Sequence, residues 1–441
     1  MPHGSNSRLQ EARAVLSRRP LALELFSGVG GMSLGLEQAG FHVGCSVEIE
    51  DVTGRYAAYN FPASRVLYGE DAGDVRKLDR ERLEGIWGSK VPEIVLVAGG
   101  PPCQGFSLAG KKNQDDPLND LVVEFSRVVL ELRPLAFLME NVPGITVGSS
   151  PHLAKALRRL ERHYSIIGPE ALWACDFGVP QARQRVFVLG FRSDLGIDPT
   201  LPQPTHSRPN GQQELLPLLP ITPTVWDAIG DIPEVDAYPE LIDGDRVPYE
   251  RDPTSDYAKL MRRKRIDPLD RGQRVDWDSD ICTNLRRTRH GNGIVKRFEN
   301  LGFGEADSKS GIRRLDPSDV STTIRAGTTK DRGSWSAPRP LHPFQHRVLT
   351  TRECARIQSF PDDFLFHPVK WHGNRQVGNA VPPLLARAIG EHMLGCLGVS
   401  PPEDELPVVD RNCDLVEADI ENAANSGLST RAISQQVIHP K

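Results

Sequence analysis

Six short apolar runs in the first half of the chain alternate with helical patterns, and that alternation limits the fold more than any other feature. The runs are Leu21 to Phe26, His42 to Val47, Arg65 to Tyr68, Glu93 to Ala98, Leu135 to Met139 and Arg185 to Gly190, with helical patterns such as Leu118 to Leu132 between them. Strands separated by helices predict βαβ units and a parallel sheet, an α/β architecture. Ligands of such sheets bind outside the carboxyl ends of the strands. The residues that follow each run are therefore the candidates for function.

After the first run comes Ser27-Gly28-Val29-Gly30-Gly31, a glycine turn opening a helical pattern that stops at Ala39-Gly40. It lacks the full G-x-G-x-x-G spacing of dinucleotide sites but lets a cofactor lie against bare backbone. Glu48 follows the second run, placed to take both hydroxyls of a ribose. Asp71 follows the third and could accept from an adenine amino group, with Asp74 a rival. Single acids at such positions are usually surface residues; three in strand order along one sheet edge favour a cofactor bearing a nucleoside.

The fourth run leads into Gly99-Gly100-Pro101-Pro102-Cys103-Gln104-Gly105-Phe106-Ser107. Two prolines stiffen the backbone and the glycines open it to a ligand, so Cys103 is a candidate nucleophile rather than an inert core thiol. Glu140 ends the fifth run, where a carboxyl group between apolar strand and tight turn can have a raised pKa and act as an acid. Arg183 and Arg185, two apart on the sixth run, share one face. Structural salt bridges are the plain alternative for either arginine.

The remainder is less regular. Beyond Arg192, Pro, Gly, Asp and Arg become frequent and periodicity weakens. Between Lys259 and Arg297 twelve Lys/Arg stand against five Asp/Glu, headed by Arg262-Arg263-Lys264-Arg265, in a protein of net charge −5. Such a run is either a phosphate-contacting surface or a solvated face. Thr350 and Glu353 form a capping box with Leu349 and Cys354 as staple, which predicts a helix to about Ser359. Val381, Leu384, Leu385, Ala388 and Ile389, opened by Pro382-Pro383, predict an amphipathic helix. From Ser400 onwards the chain reads as a polar tail.

With 39% hydrophobic and 25% charged residues the composition is that of a globular protein with no membrane span. The polar, basic start does not read as a secretory signal, which leads us to expect a cytoplasmic protein. Seven scattered cysteines without a C-x-x-C pair indicate neither a disulfide framework nor a zinc site, and no metal is expected.

Taken in order, F-x-G-x-G-G, G-P-P-C-Q-x-F-S, Glu140-Asn141-Val142, Gln181-x-Arg183-x-Arg185, Arg352-Glu353-x-x-Arg356-x-Gln358-x-Phe360-Pro361 and Gln376-Val377-Gly378-Asn379-Ala380-Val381-Pro382 resemble the DNA cytosine-5 methyltransferases of bacterial restriction-modification systems. The resemblance covers Leu23 to about Phe191 and about Arg347 to Gly390. It implies a Rossmann-like methyltransferase sheet that binds S-adenosylmethionine, and a second, smaller, irregular target-recognition domain. The corresponding division is a tail at 1–20, a discontinuous catalytic domain at 21–195 and 370–398, target recognition at 196–369 and a tail at 399–441.

The same resemblance implies that Phe26, Ser27, Gly28, Gly30, Gly31, Glu48, Ile49, Asp71, Gly100, Asn379 and Ala380 surround the cofactor, with the last helix folded back beside the first strand. Ile49 is a departure, since an aromatic residue often covers the adenine there. Catalysis would fall to Cys103, attacking carbon 6 of a flipped cytosine, to Glu140 at N3, and to Arg185 at O2 supported by Arg183. Gln104, Ser107, Arg262, Arg263, Lys264, Arg265, Arg286 and Arg287 are the expected contacts to double-stranded DNA. A monomer is expected, with a restriction endonuclease of the same specificity as its partner in the cell and the nucleoid as its place. A transfer-RNA cytosine methyltransferase shares this core, but the long variable region and Gly105-Phe106-Ser107 favour DNA. The intact Cys103, Glu140 and Arg185 argue against an inactive DNA-binding relative.

Overall fold

The structure, a computed structural model, describes residues 18–102, 120–146, 151–209, 219–265, 270, 272, 275–327, 339–400 and 408–425. Its centre is a seven-stranded sheet. In chain order the strands are β1 (Leu21–Leu25), β2 (His42–Glu48), β3 (Arg65–Tyr68), β4 (Leu96–Gly99), β5 (Ala136–Asn141), β6 (Tyr164–Trp173) and β7 (Gln184–Arg192). Their order across the sheet is β3-β2-β1-β4-β5-β7-β6. The first five are parallel, with Leu23 opposite Cys45 on one side and Val97 on the other.

The expected all-parallel sheet is corrected at one edge, where β7 runs antiparallel to both β5 and β6. The connection 174–183 is too short for a crossover, so consecutive strands can pair only antiparallel. β6 itself was not anticipated. It is a half-exposed edge strand carrying Pro169, and neither its composition nor its pattern marks it as sheet.

Alternating side chains divide each strand between two apolar layers. Leu23, Leu25, Phe137, Met139, Val186 and Val188 pack on one face with Phe125, Val128 and Leu153 of helices Leu121–Leu132 and Pro151–Leu160. Ala22, Leu138, Phe187 and Leu189 pack on the other with two further helices, α1 (Gly31–Ala39) and α2 (Pro383–Leu397). A Cβ on Gly35 would lie 2.3 Å from the carbonyl oxygen of Pro383, so glycine lets α1 and α2 touch backbone to backbone. Helix α2 thus returns to the start of the fold, as expected, although it lies on the first helix rather than the first strand, and it is followed by a further helix, Glu417–Asn425.

The described residues between 196 and 369 form only short elements, among them helices Val225–Ile229, Asp256–Met261 and Asn292–Glu299. Its apolar cluster, including Val225, Tyr257, Cys282, Leu285 and Phe364, takes in Val29, Tyr56 and Phe61 of the amino-terminal part. Helix Thr351–Ile357 begins at the capping box of Thr350 and Glu353. Its arginines act as rivets: Arg356 is ion-paired with Asp231 at 3.1 Å and Asp362 at 2.6 Å, and Arg352 donates to the carbonyls of Pro361 and Phe364.

The reading of 399–441 as a tail is corrected over 408–425. Val409 and Val416 are buried, Arg411 stacks on Tyr59, and Asp419 pairs with Arg55 at 3.0 Å. A segment with two apolar anchors among many polar residues leaves little periodic signal.

Candidate active site

β1 delivers the chain into a turn in which Phe26, Gly28 and Gly30 have φ of 56°, 57° and 98°. Two glycines meet this demand freely; Phe26 adopts a conformation uncommon for a side chain of its size. The turn is tied to β2, since Ser27 N–H donates to the carbonyl of Val47 and Gly28 N–H to Oε2 of Glu48 at 2.8 Å. Glu50 N–H holds Oε1 of the same carboxylate at 2.7 Å. Both oxygens keep a lone pair for further donors. Burial raises the Glu48 pKa, while the two amide hydrogen bonds oppose the rise.

Four further expected cofactor residues border this carboxylate or the turn. A Cβ on Gly73 would strike the Glu48 carbonyl oxygen at 2.0 Å, so the 69–74 turn lies directly against β2. Within it Asp71 is 89% exposed and reached by Lys77 at 2.6 Å, whereas Asp74 is buried, capping Val75–Lys77 and gripped by Arg76. Of the two acids Asp71 is therefore the one that faces solvent. Ile49 presents an aliphatic side chain 49% exposed beside Glu48. Across the turn, a Cβ on Gly31 would lie 2.4 Å from the Val381 carbonyl oxygen and 2.9 Å from Ala380 Cβ, which brings Ala380 and the exposed Asn379 to the same corner. A carboxylate with spare acceptors, an exposed aliphatic surface and open backbone at Gly28 suit the ribose and adenine of a nucleoside.

The second corner is built by β4, β5 and β7. Arg185 Nε lies 2.9 Å from Oε1 of Glu140, both side chains largely shielded from water. Burial raises the Glu140 pKa; the positive charges of Arg185 and Arg183 hold it down. Gly100 lets this carboxyl group lie against the strand end, because a Cβ there would sit 2.8 Å from Oε2. Asn141 Nδ2 donates to the Pro101 carbonyl at 2.9 Å, fixing the described backbone two residues before Cys103. The sequence assigns Asn141 no role of its own; the signal is its place in the motif Glu140-Asn141-Val142. Cys103, Gln104 and Ser107 lie outside the described residues.

Arg183 does not share the cleft with Arg185 as expected. It is fully buried and donates to the carbonyls of Ile324 at 2.9 Å, Gly378 at 2.8 Å and Ala380 at 3.0 Å. The pairing of β7 with β5 and β6 carries the register, but the guanidinium of Arg183 is consumed by backbone acceptors. It reinforces the corner at Gly378 and Ala380 and acts on Glu140 through its charge. Gln181 and Gln358 join this network, amide to amide at 2.5 Å, and Gln358 Nε2 donates to the Ala380 carbonyl at 2.7 Å.

The basic run is corrected more fully. Arg262 is buried, stacked 3.7 Å from the Tyr249 ring centre and bonded to the Arg251 carbonyl. Arg263 pairs with Asp270 at 2.6 Å and Asp363 at 3.2 Å, Lys264 with Asp280 at 3.7 Å, and Arg265 with Asp256 at 3.0 Å. Arg262 and Arg263 are thus taken up within the fold, while the pairs of Lys264 and Arg265 lie at the surface, so the run is not a stripe of four open cations. Arg286 donates to the Ile242 carbonyl, and Arg287 pairs with Asp236 at 3.0 Å.

No described helix is long and apolar enough to cross a membrane, and no group of three His, Cys, Asp or Glu among the described residues is placed to hold a metal ion.

Comparison with known proteins agrees with this geometry. The family model for C-5 cytosine-specific DNA methylases matches residues 22–395. Type II methyltransferase M.XorII of Xanthomonas oryzae pv. oryzae is 38% identical over 423 residues, covering 95% of each chain. M1.HphI of Haemophilus parahaemolyticus is 36% identical over 376 residues, 84% of this chain and 86% of its own. A crystal structure assigned as a prophage-encoded DNA modification methyltransferase from E. coli superposes with a TM-score of 0.68 at 32% identity, over 86% of this chain and 99% of the other. With both corners of the site in place and the match running nearly the length of the chain, this protein belongs to the C-5 cytosine-specific DNA methylase family and is a DNA cytosine-5-methyltransferase.

Proposed function

We propose that the chain transfers the methyl group of S-adenosylmethionine to carbon 5 of a cytosine flipped out of duplex DNA at a specific sequence, through a covalent bond between Cys103 and carbon 6. The observation that carries this reading is the shielded Glu140–Arg185 pair beside the anchored backbone two residues before Cys103. Carbon 5 of cytosine is a poor nucleophile. Addition of the Cys103 thiolate to carbon 6 turns the ring into an enamine, and the Glu140 carboxyl, with its raised pKa, donates at N3 as negative charge develops there. Arg185, oriented by Glu140 and by its bond to the Gln184 carbonyl, donates to O2. After methylation a base removes the carbon 5 proton, and the bond to Cys103 breaks to restore the ring.

Glu48, Ile49, Asp71, the turn from Phe26 to Gly31 and Asn379-Ala380 would hold S-adenosylmethionine, with Gly100 leaving room between the two corners. Bound there, it supplies the electrophilic methyl group. Since the reacting atoms of cytosine are stacked inside a duplex, the base must leave the helix at a cost of a few kcal/mol. The irregular segment between 196 and 369 would read the sequence, and a restriction endonuclease of the same specificity would be the partner in the cell. The test is methyl transfer from labelled donor to duplex DNA and to transfer RNA side by side. Transfer to DNA alone supports the reading; transfer to RNA alone overturns it.

A further inference from the structure

Away from both corners of the site, cations converge where the described carboxylates do not. Lys370 Nζ donates to the Arg287 carbonyl at 2.7 Å and lies 3.1 Å from Oγ1 of Thr288. Arg339 reaches the same hydroxyl at 3.3 Å with one guanidinium nitrogen and the Leu349 carbonyl with another. Among the described residues neither Lys370 nor Arg339 has an ion-paired carboxylate. Arg286 adds charge from behind, and Nε of both Arg287 and Arg339 is shielded without a hydrogen-bond partner. Among the other described titratable groups around this cluster, Asp236 pairs with Arg287, Asp243 lies 3.8 Å from Arg286, Arg347 pairs with Glu353, and burial pushes the Cys354 thiol up so that it stays neutral. His290 accepts from Val348 N–H, and its pKa is lowered by burial and by these cations, so it is neutral.

Lys370 is also the first residue of helix Lys370–Asn379, the end of a helix dipole that favours an anion and disfavours a cation. Burial and the charges of Arg339 and Arg286 pull the lysine's pKa down to about 7. An arrangement that strains its own cations is relieved by an anion held among them.

We propose that Lys370 and Arg339, with Arg286 behind them, form a binding site for one backbone phosphate of the DNA substrate. The assignment rests on the reading of the protein as a DNA methyltransferase. It differs from Arg263 of the basic run in that its two principal cations are not ion-paired with any described carboxylate. Phosphate would favour the charged lysine, so binding takes up a proton, and DNA affinity falls as the pH rises through 7.

The measurement is duplex affinity by fluorescence anisotropy against salt, at pH values on either side of 7, for the wild type, Lys370→Gln and Lys370→Arg. Methyl transfer to duplex DNA by the wild type is recorded alongside. In the wild type, affinity should decline with pH by up to about tenfold per unit above neutrality. Lys370→Gln should flatten the plot of log affinity against log salt by about 0.9. Lys370→Arg should bind as tightly as the wild type at low pH and lose the pH response. If Lys370→Gln melts early, the arginine variant decides, since a pH response equal to that of the wild type overturns the site. An unchanged salt slope in a folded Lys370→Gln protein also overturns it. Inorganic phosphate serves as a second probe: if it raises the melting temperature of the wild type but not of Lys370→Gln, and the salt slope is unchanged, the recess takes a free anion and its assignment to DNA falls. A wild type that methylates duplex DNA while the variants match it removes the recess and leaves the enzymatic reading standing.

Discussion

Nε of Arg185 lies 2.9 Å from Oε1 of Glu140, on antiparallel neighbouring strands whose register sets Glu140 opposite Phe187 and Asn141 opposite Val186. The pair joins the one edge of the sheet that departs from parallel order to the strand end that leads to Cys103. Its partners differ in what they do for the fold, which leads to separable outcomes.

Glu140→Gln should lower kcat by about 10²–10⁴-fold, the range for loss of a general acid, with a much smaller change in DNA affinity. The glutamine still fits beside Gly100 and can accept from Arg185, so the melting temperature should stay near that of the wild type. Single-turnover rates and DNA binding on the same protein check this; equal losses in both would make Glu140 a positioning residue.

Arg183→Ala and Arg185→Ala should part company. Removing Arg183 strands the buried carbonyls of Ile324 and Gly378, each at a cost of about 1–3 kcal/mol, leaves Ala380 with Gln358 as its remaining side-chain donor, and loosens the corner proposed to hold the cofactor. Its variant should melt early and bind S-adenosylmethionine weakly. Arg185→Ala should keep most of its stability and lose turnover. Calorimetry of unfolding and of cofactor binding separates the two.

The basic run offers a contrary outcome. Arg263→Met should destabilise the protein, because it leaves Asp270 and Asp363 without their cation, while the salt dependence of duplex binding stays unchanged in whatever fraction is folded. A flattened salt slope would restore Arg263 to the DNA surface.

How much of this was legible in the sequence depends on where each partner lies along the chain. The glycine turn, Glu48, the capping box at Thr350 and the proline-started helix α2 are local patterns, and each stands where the pattern put it. Arg262 and Arg263 are taken up by the ring of Tyr249 and by Asp270 and Asp363, partners distant in the chain or set in irregular backbone, and a charge count records cations without their neighbours. Arg183 and Arg185 look equivalent at a spacing of two. Only the fold shows that one meets carbonyls from 324, 378 and 380 while the other meets Glu140. Strand Tyr164–Trp173 lacked a signal because an exposed edge needs little apolar patterning.

Stability should also depend on Glu24, which is fully buried on β1 and accepts a hydrogen bond from Ser33. Burial raises its pKa to about 8, against the opposing effect of Ser33. The folded state therefore holds a proton that the unfolded chain releases above its ordinary carboxylate pKa. The resulting stabilisation is complete below about pH 4.5 and is lost progressively as the pH rises through about 8. Glu24→Gln should remove this component, so its melting temperature should fall less than that of the wild type between pH 5 and pH 8. Parallel curves would mean that Glu24 is ionised within the fold.

The central claim is that Cys103 attacks a flipped cytosine in DNA, and trapping tests it most directly. Duplex DNA in which the target cytosine carries fluorine at carbon 5 cannot lose that substituent as it loses a proton, so the covalent complex should persist in the presence of S-adenosylmethionine. Mass spectrometry should find the wild-type chain joined to the DNA with one added methyl group, the bond mapping to the peptide of Cys103, and no adduct with Cys103→Ser. An adduct that survives Cys103→Ser, or a wild type that methylates ordinary duplex DNA yet is not trapped, would contradict it.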